Sequence, residues 1–214
     1  MRSSKDRKRR NYAVLSKVAY ESNDKHNVEK AMSSYGLGRI IKYLPKLSTS
    51  SYKTFYNNRT NKAVIAFRGT QPTNLSDLAA DTAIFFGVER LFPRFNEALA
   101  HAKLVEKTVG KGNVELTGHS LGGSEALYVT EKTGMPSTVF NPGKTFEQFD
   151  LLEKYDKVRN AVFSDPNKQN NKNTQIYNTR FDPISFNATR TKGDVDYVKA
   201  CGYNVHAIDN FIDS

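Results

Sequence analysis

Cysteine is nearly missing from this chain: Cys201 stands alone among 214 residues, so no disulfide can form within it and the fold must rest on its core. Nothing in the Lys-Ala-Cys-Gly-Tyr segment around that thiol would activate it, which leaves a plain buried or half-buried side chain. Long apolar runs are missing too. The longest, such as 63–67 and 83–87, fall far short of the ~20 residues needed to cross a bilayer, which excludes a transmembrane helix. No apolar stretch of signal-peptide length follows the basic N-terminus, so an intracellular or virion-associated protein is expected rather than a classically secreted one. Acidic residues are in deficit, with 22 Asp and Glu against 32 Lys and Arg, for a net charge of +10. No helix-turn-helix, zinc-ligand spacing or RNA-binding aromatic signature accompanies that excess, so a specific nucleic-acid reader is not expected.

What is present describes a folded globular protein. Hydrophobic content is 38%, with 13 Phe and 11 Tyr, and a mean hydropathy of -0.61 points to solubility. The length suits one domain with a substantial core. Arg2, Lys5, Arg7, Lys8, Arg9 and Arg10 crowd the start against Asp6 alone. Residues 1–11 therefore read as a disordered, solvated basic arm ahead of a single domain over 12–214. A sharper reading gives the arm a peripheral contact with an anionic membrane surface.

Local patterns set out an α/β order. Val14, Leu15, Val18 and Ala19 are spaced for an amphipathic helix over 12–21, followed by a polar loop. Residues 51–56 and 63–67 read as the strands of a hairpin, the second apolar throughout, as a strand buried on both faces would be. Phe95, Leu99, Ala102 and Val105 give a helix over 94–109, closed by Gly110 and Gly112. Strands follow at 113–117, 137–140 and 174–179, with helical patterns at 124–132 and around 146–158. Strands alternating with helices predict a mostly parallel central sheet flanked by helices.

The strand at 113–117 runs into Gly118-His119-Ser120-Leu121-Gly122 and then a helix, which makes a candidate nucleophile elbow. A Gly-X-Ser-X-Gly pattern arises by chance in about one chain of this length in fifteen, so the strand, turn, helix context carries the weight. A serine hydroxyl needs a base, an acid to orient that base and donors for the oxyanion. Among the histidines, His119 adjoins the serine and points elsewhere, and His26 and His101 come too early. His206 follows the last strand signal, as the order Ser, Asp, His requires on such sheets. Asp182 ends the strand at 174–179 ahead of Pro183 and is the best acid, with Asp165 the runner-up. One oxyanion donor is the Leu121 amide. The other comes from the loop after the buried strand, where Thr70 offers an amide and a hydroxyl.

With those segments in place, the chain resembles the class 3, fungal-type lipase family. The resemblance covers roughly residues 50–212 and rests on several blocks in order: Ala63-Val-Ile-Ala-Phe-Arg-Gly-Thr70, Val114-Glu-Leu-Thr-Gly-His-Ser-Leu-Gly-Gly123, Val139-Phe-Asn-Pro-Gly143, Asn178-Thr-Arg-Phe-Asp-Pro-Ile184 and His206-Ala-Ile-Asp-Asn-Phe211. It implies an α/β-hydrolase fold with Ser120, Asp182 and His206 as triad, Thr70 and Leu121 as oxyanion donors, and Asp81 as support for the oxyanion-loop hydroxyl. The chain departs from the family where a Trp often stands and Leu78 occurs here, and it is compact, leaving only 72–86 as a cover.

These readings converge on a serine hydrolase of lipid or other acyl esters that needs no metal or organic cofactor. Triacylglycerol lipase and phospholipase A1-like activity both fit. The rival reading is a non-catalytic hydrolase-fold module that binds lipid surfaces or a protein partner.

Overall fold

The structure is a computed structural model that describes residues 3–70, 88–143, 173–182, 185, 194–200 and 204–212. The sequence-predicted helix around 146–158, the cover at 72–86, Asp81, Asp165 and Cys201 lie outside the described residues. Seven strands form one sheet in chain order: β1 (Ile41–Tyr43), β2 (Tyr52–Asn57), β3 (Lys62–Phe67), β4 (Val114–His119), β5 (Ser137–Phe140), β6 (Thr174–Thr179) and β7 (Asp194–Val198). The first two pairings are antiparallel, and β3 through β7 run parallel. Among the described residues four α-helices accompany it: α1 (Ser4–Val18), α2 (Lys25–Ser34), α3 (Val88–Val109) and α4 (Leu121–Thr133).

The mostly parallel sheet has one apolar layer on each face. Ile65, Phe67, Leu116, Val139 and Ile176 pack with Phe95, Ala98, Ala102, Val105 and Leu127 from α3 and α4. On the other face, Val64, Ala66, Phe140 and Tyr177 meet Ala13, Val14, Leu15 and Val18 of α1 and Phe211 of a short 3-10 turn. β3 serves both layers, and Ala63 through Phe67 are completely buried, which accounts for its unbroken apolar run. Crossover connections place the loops after β3, β4 and β6 at one edge of the parallel strands, where sites on such sheets assemble.

The expected disordered arm is corrected by the structure over its described residues: Lys5, Arg7, Lys8, Arg9 and Arg10 lie in the first turns of α1. Ser3 caps the helix by accepting from the Asp6 amide at 3.1 Å. The cations then find acceptors from segments distant in the chain. Lys5 pairs with Asp196 at 2.8 Å and Lys8 with Glu115 at 2.9 Å, while Arg10 donates to the Tyr35 carbonyl at 3.3 Å. Burial pushes the Glu115 carboxyl up, yet the Tyr12 hydroxyl, Lys8 and Lys62 together hold it below its usual value. A local reading of the sequence sees the charges and not these partners.

The helix also stops earlier than its pattern predicts, at Val18, where Lys53 takes over. That buried lysine donates to the Ala19 and Glu21 carbonyls at 3.2 and 2.7 Å, closing the helix end. Burial, and then Arg68, lower its ammonium to about 8. Removal of residues 1–10 is expected to lower the thermal midpoint by at least about 3 °C while leaving turnover of a soluble ester per folded molecule unchanged. Differential scanning fluorimetry beside an ester assay checks this; an unchanged midpoint would mean that the basic turns are not integral to the fold.

Candidate active site

Ser120 sits between β4 and α4 with φ 57 and ψ -127, a left-handed conformation that costs a non-glycine residue roughly 1–3 kcal/mol and that surrounding structure must impose. The two flanking glycines impose it. A Cβ on Gly118 would lie 2.3 Å from the Gly122 carbonyl oxygen, and one on Gly122 would lie 2.1 Å from the Phe67 carbonyl oxygen. Only hydrogen fits at either position, so β3, β4 and α4 close around the turn. The Ser120 amide donates to the Phe140 carbonyl at 3.0 Å, which ties the elbow to β5.

The end of β3 lies against this turn. A Cβ on Gly69 would come within 3.4 Å of Ser120 Cβ and 2.7 Å of the His119 carbonyl oxygen, so the strand end that carries half-buried Thr70 is beside Ser120. Arg94 holds the same strand end by donating to the Arg68 carbonyl and pairing with the buried Glu125 carboxylate. Burial raises that carboxyl to about 8 in spite of Arg94. Leu121 opens α4, and its amide belongs to the free donors of a helix N-terminus.

Asp182 and His206 are brought together. His206 Nδ1 lies 3.0 Å from both Asp182 carboxylate oxygens, and the Ser185 amide donates to Asp182 at 3.2 Å. Both side chains are buried. The other ring nitrogen, His206 Nε2, is buried with no hydrogen-bond partner among the described residues, Ser120 Oγ included. An acid that fixes the imidazole from one side and a free lone pair on the other is the state a general base requires, and unliganded sites often hold the serine contact open.

Several residues that sequence reasoning passed over hold the His206 loop. Asn141, buried and at φ 42, donates to the His206 carbonyl at 3.3 Å and accepts from the Thr179 amide at 2.8 Å. Asn210 donates to the carbonyls of Asn204, Val205 and Ala207. The sharp turn in Val139-Phe-Asn-Pro-Gly143 was the available signal for Asn141; nothing local marked Asn210. The remaining histidines separate as expected from the candidate base. His26 is exposed, and His101 packs on Tyr52 beside Thr54.

His119 is buried beside the site, its ring 4.7 Å from that of His206. Burial first, and His206 second, push its imidazole down to about 3 from 6.5. The unfolded chain therefore takes up this proton between pH 6.5 and 3 while the folded protein does not. Stability is full above pH 6.5 and is lost as pH falls through that window, by about 1.4 kcal/mol per pH unit for one such group. Urea midpoints measured from pH 7 to 4 should fall more steeply for wild type than for His119→Gln. Equal slopes would show that His119 is not the group responsible.

A family model for the Tle-like phospholipase domain, a phospholipase-like family, matches residues 11–191. The chain belongs to that family. Solved structures agree on the fold of this Tle-like chain. Lipase II from Rhizopus niveus superimposes with a TM-score of 0.54 over 94% of this chain and 83% of its own, at 13% identity. A Rhizomucor miehei lipase propeptide complex gives 0.54 over 100% of this chain and 76% of its own, at 14% identity. No curated protein matches the sequence. At such identities the likeness establishes the α/β-hydrolase fold alone, and the family model supports a lipid ester hydrolase.

Proposed function

We propose that this Tle-like domain is a serine hydrolase of lipid acyl esters, a phospholipase A1-like or triacylglycerol lipase, working through Ser120, His206 and Asp182. The observation that carries it is the Asp182–His206 pair at 3.0 Å with a buried, unpartnered Nε2, on the same edge of the sheet as a strained serine elbow. His206 Nε2 takes the proton of Ser120 Oγ as that oxygen attacks the ester carbonyl. The developing oxyanion is met by the Leu121 amide and by Thr70 at the end of β3. The tetrahedral intermediate collapses as His206 passes the proton to the leaving alcohol, and an acyl-Ser120 ester remains. Water, deprotonated by the same Nε2, then releases the fatty acid and restores the hydroxyl. Asp182 stays ionised throughout and keeps the imidazole in the Nδ1–H tautomer.

Among the described residues no helix is long and apolar enough to cross a membrane. Substrate would be met at a surface, and the net charge of +10 favours an anionic one, phospholipid ahead of neutral lipid. Fluorophosphonate labelling of wild type beside Ser120→Ala, followed by a panel of acyl lengths and headgroups, tests the reading. Labelling that survives the substitution, or is absent from wild type, would favour the non-catalytic binding module instead.

A further inference from the structure

A single chain of contacts joins the three parts of the candidate site, and its two middle members have no role in the chemistry just described. His119 Nε2 lies 2.7 Å from the His206 carbonyl oxygen. A carbonyl only accepts, so Nε2 carries the hydrogen. The imidazole is neutral, because burial and His206 hold its pKa near 3, and Nδ1 is therefore an acceptor. Tyr20, just past the end of α1, lies 3.2 Å from it and must donate its hydroxyl hydrogen. Burial pushes the phenol up, so that hydrogen is retained. The Tyr20 hydroxyl lies so close to Gly69 that a Cβ on that residue would stand 2.3 Å away. Each donor has one acceptor, Tyr20 O–H to His119 and His119 N–H to the carbonyl of His206, and the tyrosine hydroxyl packs against Gly69.

We propose that Tyr20 and His119 are positioning residues that lock the oxyanion loop, the serine elbow and the backbone of the base into one geometry. The Tyr20 hydroxyl packs against Gly69, which fixes the backbone that leads into Thr70. His119 is the immediate neighbour of Ser120. The His206 carbonyl anchors the residue whose ring must reach Ser120 Oγ, and Asn141, at 3.3 Å, is its longer second donor. Asp182 orients the ring, and His119 orients the main chain that carries it. Such a chain acts on the arrangement of groups more than on affinity, since misplacing reacting groups by about 1 Å costs up to about 100-fold in rate.

The proposal rests on Ser120 and His206 being nucleophile and base, and the test separates the two. With a soluble short-chain p-nitrophenyl ester, Tyr20→Phe should lower kcat about 10- to 100-fold with KM within about twofold, while its thermal midpoint stays within a few degrees of wild type. His119→Leu should behave alike, and His119→Gln, whose amide can still donate toward the His206 carbonyl, should recover kcat to within about threefold of wild type. The double variant Tyr20→Phe/His119→Leu should be no slower than His119→Leu alone, as members of one unit are non-additive. Wild-type kcat in Tyr20→Phe, multiplying effects in the double variant, or a His119→Gln as slow as His119→Leu would each overturn the proposal. If wild type itself takes no fluorophosphonate at Ser120, the hydrolase reading falls as well.

Discussion

Ser120→Ala should lower kcat/KM for a soluble acyl ester by about 10⁵- to 10⁶-fold, down to the residual acceleration that binding and oxyanion donors supply alone. The size of the effect follows from the covalent step: without Oγ no acyl-enzyme forms, and His206 would have to activate water at a position shaped for the serine. The fold should survive the change. Ser120 holds φ 57 because Gly118 and Gly122 admit no side chain between β3, β4 and α4, and neither constraint involves the hydroxyl. Alanine retains the backbone and the amide bond to Phe140, so the thermal midpoint should stay near that of wild type. Stopped assays with purified protein, paired with a melt, read both quantities. Turnover within about tenfold of wild type would remove Ser120 from the mechanism.

Asp182→Asn should cost about 10⁴-fold in kcat with nearly unchanged structure. Asp182 accepts from His206 Nδ1 at 3.0 Å and from the Ser185 amide at 3.2 Å. A carboxylate can only accept in its ionised form, which forces the hydrogen onto Nδ1 and leaves Nε2 bare. An asparagine amide can donate to Nδ1 instead, driving the hydrogen to Nε2 and removing the lone pair that must receive the serine proton. The variant should therefore label slowly with fluorophosphonate while still binding substrate with KM close to wild type. Asp165→Asn, the other aspartate followed by proline, should stay within about twofold. An effect at Asp165 comparable to that at Asp182 would reassign the acid.

Much of the fold could be read from the chain because the relevant patterns are short-range. β3 shows as an unbroken apolar run, the hairpin as two strand-like runs around an Asn-rich turn, and α3 as an apolar stripe closed by glycine. β7 was not read: Asp194–Val198 is a short strand whose two Asp residues are not buried, one of them paired with Lys5. α2 was taken for a loop because only Val28 and Met32 of its ten residues are buried. The start of α1 was taken for a disordered arm because helix formation by a run of cations depends on acceptors at Glu115 and Asp196. Those carboxylates reach it only after the sheet has formed.

The candidate site divides in the same way. Ser120, Asp182 and His206 could be named as candidates because chemistry restricts residue type and α/β-hydrolase connectivity restricts order, leaving few alternatives among four histidines. Their supports could not. Tyr20, Asn141 and Asn210 are ordinary polar residues in the sequence, and they matter because folding aims each at one particular carbonyl or ring nitrogen.

By itself, then, the sequence determined the fold class of this protein, a mostly parallel sheet flanked by helices, and named a candidate serine elbow, acid and base, since periodicity and turn chemistry are written in neighbouring residues. Only the tertiary structure decided that the basic start is a helix, that His119 is neutral with its hydrogen on Nε2, and that Tyr20, His119 and His206 form one hydrogen-bonded chain packed on Gly69. Hydrogen-bond direction and charge pairing depend on which distant groups face each other across a few ångströms. That is a property of the packed sheet and its loops.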